Sequence, residues 1–215
     1  VSGEVIHRID VPDAPTGLAL SGNWLLVTHL YSGKVTVMNV ERTPFVVGSI
    51  NVEPDSLQAR TIIIAPDGQH AYIPQTRTGL ALVSLQYMQD WFPVVSVLDI
   101  THGVGDRDRR LTVSEHDRPV NTPSDLTLST DGRILYIALA GSDAVLVADG
   151  TTYKRLAYVP VGKNPIGVGL DGERLFVLNA LDGTVSVINT AHNTVEKVIP
   201  VTDIPLSPDI LRGKI

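Results

Sequence analysis

Residues able to do chemistry are present in this chain but scattered. Six histidines (His7, His29, His70, His102, His116, His192) include no pair at the spacing that sets two imidazoles on one metal ion. There is no cysteine, which removes thiolate zinc sites, disulfides and covalent haem attachment from this chain. Gly167-Val-Gly169-Leu-Asp-Gly172 spells GxGxxG, but a pyrophosphate cradle needs its glycines to leave a strand and open a helix. Here the flanking apolar runs place them within a strand and its hairpin. Asp106 and Asp108 alternate with Arg107, Arg109 and Arg110, so their charges largely cancel and a solvated loop is expected in place of a calcium site. No serine stands in a nucleophile elbow. No catalytic residue and no metal ligand can be assigned by spacing, so any site must be assembled in space from distant segments.

Those segments repeat. Residues 164–201 hold four short apolar runs separated by Asp-Gly, Asp-Gly and His-Asn, which reads as a meander of four antiparallel strands. The run LFVL at 175–178 is continuously apolar, as in a strand covered on both faces. The template fits three more times. Asp171-Gly172 corresponds to Asp131-Gly132, Asp67-Gly68 and Ser21-Gly22, each followed by an apolar run, LFVL, LYIA, AYIP or LLVT. A third strand then ends in Asn189, Asp149, Asp99 or Asn39. Between the equivalent Leu175, Leu135, Ala71 and Leu25 the spacings are 40, 64 and 46 residues, against about 40–45 for a four-stranded unit, so the second unit carries an insertion. A sheet of this kind cannot hide both faces alone and needs like sheets stacked against it. The expected fold is therefore all-β: a β-propeller of four-stranded antiparallel blades, four complete in this chain and part of a larger ring of seven or eight. Residues 4–11 (EVIHRIDV) match the outer strand of the last unit and are expected to form a lone outer strand. Residues 1–203 read as propeller, and 204–215, with Ser207-Pro208-Asp209 as a capped helix start, as the beginning of a linker to a following domain.

Composition narrows the partners. At 215 residues with 43% hydrophobic residues there is ample core for one domain. Seventeen basic against 23 acidic residues, a net charge of −6, leave no basic stripe for nucleic acid. No 18-residue apolar stretch exists to span a membrane as a helix.

In a propeller, the loops joining each outer strand to the next inner strand and each second strand to the third emerge on one face around the axis, where ligands sit. Position therefore selects Thr16, Arg60, Ser124, Asp125 and Asn164 from the first set, and His29, Tyr31, Gln75, Arg77, Ser142, Asn179 and Asp182 from the second. His29 and Tyr31 are expected in a solvent-facing turn. The insertion in the second unit, residues 77–92, is long for a blade turn and carries Tyr87, Met88 and Trp91, residue types enriched at interface centres. It is expected to bind a partner or to fold back as a lid over its own propeller.

The runs LFVLNALDGTVSVINT and LYIALAGSDAVLVAD resemble the YVTN family of β-propeller repeats, in which a second strand ending in Asn is followed by a short turn and a third strand ending in Asp or Asn. AYIPQTR, the long loop before FPVVSVLDI, and LSPDILRGKI resemble bacterial exported proteins in which such a propeller precedes a c-type cytochrome of the di-haem peroxidase or MauG-like group. The family's Asn at the end of the second strand carries over only as Asn179; His29, Gln75 and Leu139 stand there in the other units. The resemblance implies a periplasmic or extracellular protein. Its CxxCH motifs are absent, so haem c would belong to a following domain, with no cofactor in this chain. Two functions stay open: a non-catalytic module docking a cytochrome domain or other protein, with possible self-association through terminal blades, or a propeller enzyme, a lactonase-like hydrolase or quinoprotein-type dehydrogenase.

Overall fold

The computed structural model describes residues 3–52, 56–78, 91–113, 120–204, 207, 209–210 and 213. Its strands form four antiparallel sheets, one per sequence repeat. Blade 1 is β1 (Pro15–Ser21), β2 (Trp24–His29), β3 (Lys34–Asn39) and β4 (Phe45–Asn51). Blade 2 comprises β5 (Ser56–Leu57), β6 (Ile63–Ile64), β7 (His70–Thr78), β8 (Trp91–Asp99) and β9 (Val104–Thr112). Blade 3 is β10 (Pro123–Leu128), β11 (Ile134–Leu139), β12 (Ala144–Asp149) and β13 (Arg155–Pro160). Blade 4 is β14 (Pro165–Asp171), β15 (Arg174–Asn179), β16 (Thr184–Asn189) and β17 (Thr194–Pro200).

The repeated turn residues act as their chemistry requires. Each first hairpin closes on a glycine at positive φ, between 56° and 72° at Gly22, Gly68, Gly132 and Gly172, a conformation a side chain would strain. Each third strand ends in a carboxylate or amide whose Oδ1 accepts from the following turn: Asn39 from Glu41 N–H, Asp99 from His102, Asp149 from Thr151 and Thr152, Asn189 from Ala191 and His192. The polar residue ending the third strand is thus a turn former.

The core lies between the sheets. Blades 1 and 2 enclose Leu26, Val35, Ile62, Ala71, Ile73 and Leu98. Blades 2 and 3 enclose Tyr72, Val95, Val97, Leu126, Leu135 and Ile137, and blades 3 and 4 enclose Tyr136, Val145, Val147, Leu175, Val177 and Ile188. Strand β11, with a blade on either side, is buried over Leu135–Leu139.

Four expectations need correction. Residues 4–11 form no strand, because no ladder partner is offered, and Val5 and Ile6 are exposed. The run LFVL is not covered on both faces: Leu175 and Val177 are buried, but Phe176 and Leu178 face outward with no blade beyond. The inner strand of blade 2 starts at Ser56 and is broken in two, with Arg60 in the gap. The Asp-Arg run lies within β9 as a wide bulge: Val97 pairs Asp106 and Val95 pairs Leu111, leaving 107–110 opposite Ser96. The insertion begins as ladder, pairing Arg77 with Phe92 and Thr78 with Trp91; Tyr87 and Met88 lie outside the described residues. At the far end Asp209 and Ile210 are helical, with Ser207 Oγ accepting from Ile210 N–H.

Candidate functional site

Where each inner strand starts, the chain brings side chains of three blades to one cleft of about 510 Å³. Arg60 and Thr61 come from blade 2, Thr122, Ser124, Asp125 and Ala140 from blade 3, and Asn164 and Ile166 from blade 4. The size is that of a small-molecule site. Four of the residues selected by position, Arg60, Ser124, Asp125 and Asn164, meet here. Thr61 and Thr122 were not selected, since the broken inner strand of blade 2 hides the repeat register that would have marked Thr61.

Most of the polar groups in the cleft join blades. Ser124 Oγ donates to the Pro165 carbonyl at 2.7 Å, so its proton is held by a backbone acceptor. Asp125 Oδ2 accepts from Val168 N–H at 2.9 Å, which ties blade 3 to blade 4, and the nearby Thr61 hydroxyl of blade 2 works against the rise in its pKa. Burial raises the Asp125 carboxyl above its ordinary value despite these bonds. Asn164, at φ 53°, donates through Nδ2 to the Ala140 carbonyl and from its backbone to Asp143 Oδ1. Arg60 is exposed at the rim.

The other selected residues stand apart from this cleft. Thr16 Oγ1 donates to the Ala59 carbonyl, the blade 1 to blade 2 counterpart of the Ser124 bond. Asp182 Oδ2 accepts from Lys163 N–H, and Ser142 Oγ from Asn121 N–H. Arg77 lies in β7. Tyr31 is 74% exposed on its turn, but His29 is buried at 1% exposure, contrary to the solvent-facing expectation. Its Nδ1 faces the Asp13 carbonyl at 3.2 Å, which can only accept, so Nδ1 carries the proton and Nε2 accepts from Thr36 Oγ1 at 2.8 Å. Asn179 is likewise buried and donates to Thr184 Oγ1 and Ser186 Oγ; Gln75 is buried beside β8. The ends of the second strands are therefore interior.

A second, smaller cleft of about 250 Å³ opens on the face carrying the Asp-Gly hairpins, between blades 2 and 3. His70 Nδ1 meets Asp67 Oδ2 at 2.7 Å, and His70 Nε2 meets Arg109 Nη1 at 2.8 Å. Since a guanidinium only donates, Nε2 accepts and His70 is the neutral Nδ1–H tautomer. Burial pushes the Asp67 carboxyl up, but bonds from the His70 side chain and the Gln69 and His70 N–H groups outweigh it and leave it lowered. Tyr72 and Tyr153 pack edge to face at 6.5 Å, and burial raises both phenols. Sequence spacing could not show this cluster, because Arg109 and His70 are 39 residues apart.

Among the described residues no group of three or more His, Cys, Asp or Glu stands together as a metal-binding set. No described helix is long and apolar enough to cross a membrane.

No protein-family model and no curated protein matches the chain. Solved structures do. Hydrazine synthase of Kuenenia stuttgartiensis superposes with a TM-score of 0.67 at 21% identity, over 93% of this chain and 52% of that one. A putative 6-phosphogluconolactonase from Bacteroides fragilis gives 0.66 at 18%, over 87% and 55%. A chain of a nidogen/laminin complex gives 0.64 at 16%, over 92% and 68%. The chain spans about half the length of the first two. At these identities the likeness shows the fold alone, and that fold, with four stacked antiparallel sheets, is the β-propeller.

Proposed function

We propose that this chain is a scaffold of the YVTN-repeat type from a bacterial exported protein, whose axial face docks another protein, a c-type cytochrome domain of the di-haem peroxidase-like group. The observation that carries the reading is the use of the axial side chains. Thr16, Ser124, Asp125, Asn164 and Asp182 are engaged in bonds within the propeller, while Tyr31 and Arg60 are left exposed on the same face. Aromatic and arginine side chains on a rigid support are the usual anchors of a protein interface. Tyr87, Met88 and Trp91 of the insertion are proposed as further anchors of the same docking. Haem c belongs to the partner, because this chain has no cysteine to hold it covalently. The compartment in this reading is periplasmic or extracellular.

A lactonase-like or quinoprotein-type enzyme is the second reading. The cleft volume and the raised Asp125 carboxyl that lines it favour it, and one structural neighbour is described as a putative 6-phosphogluconolactonase. One pair of measurements separates the two. In the first reading the chain associates with a purified di-haem c-type cytochrome from the same genome in analytical ultracentrifugation. Tyr31→Ala with Arg60→Ala then weakens that association about tenfold, or about 1.4 kcal/mol. Hydrolysis of 6-phosphogluconolactone that disappears in Asp125→Asn, without cytochrome association, would replace docking with catalysis.

A further inference from the structure

The junctions between neighbouring blades follow one plan, and the junction of blades 1 and 2 lacks the side chains that fill the other two. The second strand turns one residue toward the next blade at a repeat position held by Leu26, Tyr72 and Tyr136 in blades 1, 2 and 3. Facing it, the turn after the third strand of the next blade closes on a residue at positive φ: Gly103 in blade 2, Tyr153 in blade 3 and Asn193 in blade 4. Between blades 2 and 3 the two tyrosines meet edge to face at 6.5 Å, and the Tyr72 hydroxyl donates to the Gly150 carbonyl at 3.5 Å. Between blades 3 and 4, Tyr136 is buried beside Thr190, which holds the turn position of Gly150. Between blades 1 and 2 the corresponding pair is Leu26 and Gly103, and neither carries a ring.

What remains there is a groove of about 590 Å³ on the face carrying the Asp-Gly hairpins, within the size range of small-molecule sites. Leu26, Val37 and Ile50 of blade 1 and Ile100 of blade 2 line it, and Trp24 forms a wall at 43% exposure. Gly48 lines it from β4, opposite Val37, where Ala157 stands opposite Val147 in blade 3. A Cβ on Gly48 would meet no atom within 4 Å, so the space beside it is open. Protein interiors are otherwise close-packed, and a gap of this size between two sheets of one chain departs from the plan. We propose that this groove binds a small phenolic molecule, whose ring takes the place of the tyrosine side chains at the other two junctions. Trp24 and the aliphatic floor give the ring an apolar slot with an aromatic edge or face to pack on. Ile100 holds the turn position of Gly150, so its carbonyl is the acceptor offered to the phenol hydroxyl. The site lies on the opposite face from the cleft holding Asp125 and is independent of what that cleft binds.

NMR of the isotope-labelled chain tests the proposal, because Trp24 lines the groove and Trp91, the other tryptophan, begins β8 at the far end of blade 2. The probe is p-cresol, the side chain of tyrosine. The Trp24 indole resonance is expected to shift saturably, with half-saturation on the order of 1 mM, while that of Trp91 stays in place. Anisole, whose oxygen has no hydrogen to donate, is expected to bind at least about fivefold more weakly. Gly48→Leu fills the open space and is expected to abolish the shift. Val47→Glu sets a carboxylate at the rim on an exposed position, keeps the fold by circular dichroism, and weakens p-cresol about fivefold. No saturable Trp24 shift at up to about twenty times the expected half-saturation overturns the proposal. Equal affinity for anisole overturns the phenol assignment, and a shift undiminished in both variants overturns the placement in this groove.

Discussion

At the scale of the residue, one diagonal pair recurs in every blade and explains the irregular ends of the second strands. Where the second strand ends in His29 or Asn179, the third strand offers Thr36 or Ser186 as its hydrogen-bond partner. Where it ends in Leu139, the third strand offers Leu146 and both are buried in one apolar cluster. Blade 2 has Gln75 and Ser96, but Gln75 Oε1 and Ser96 Oγ are buried with no hydrogen-bond partner among the described residues. A buried orphan costs about 1–3 kcal/mol, and removing both polar groups together relieves it. Gln75→Leu with Ser96→Ala is therefore expected to raise the urea midpoint, by about 1 kcal/mol of stability. Thr36→Val, which strands His29 Nε2, is expected to lower it by about 1–3 kcal/mol. Titration gives a second prediction. Because burial raises the Asp125 carboxyl above 3.8, the folded chain holds this proton more tightly than the unfolded chain. Its contribution to stability is thus greatest in acid and is lost as pH rises from 3.8 through the folded value. Asp99, Asp131 and Asp149 run the other way. Hydrogen bonds from the His102 N–H, the Ser129 hydroxyl and the Thr152 N–H respectively lower them, so their stabilisation is present above 3.8 and is lost as pH falls below it. Melting temperature against pH should show Asp125→Asn flattening the slope just above 3.8 and leaving the acid limb in place.

At the scale of the element, the hairpin of blade 2 is the departure from the repeat. Strands β7 and β8 run nine residues each, against six for β2 and β3, and stay paired as far as Thr78 and Trp91. Among the described residues the ladder therefore reaches both flanks of the insertion. Replacing residues 79–90 with Asn-Gly, a sequence suited to a two-residue turn, is expected to leave the melting temperature within a few degrees and to abolish cytochrome association. Retained association together with a large fall in melting temperature would make the tip a lid packed on its own propeller. Tyr87→Ala with Trp91→Ala offers the finer version of the same test, with a loss of about 2 kcal/mol in binding if these are hot spots.

At the scale of the whole molecule, stability is distributed by neighbours, as in other stacked repeats. Blade 3 has a partner sheet on both sides, and β11 and β12 are almost wholly buried. Blades 1 and 4 have one partner within the chain, and their outer strands β4 and β17 are largely exposed. Amide hydrogen exchange should therefore be slowest in β11 and β12 and fastest, among the strands, in β4 and β17. Equal protection in β4 and β12 would contradict a stability set by stacking.

Local chemistry written in the sequence determined the repeat, the strand order within each blade and the turns, because a glycine at positive φ and an Asn or Asp ending the third strand act on their immediate neighbours. The run LLVT at 25–28 lies within β2 and stops one residue short of each of its ends, and the limits of β1, β3 and β4 can be read to within about two residues. Tertiary structure alone decided which side chains are available. LFVL and LYIA are nearly the same run, yet β15 is half exposed and β11 buried, because only β11 has blades on both sides. Likewise His29 and Tyr31 are two residues apart, and packing turned one inward to Thr36 and left the other in solvent. The axial cleft joins Arg60, Asp125 and Asn164 across 104 residues of chain, and only the stacking of blades 2, 3 and 4 brings them to one place.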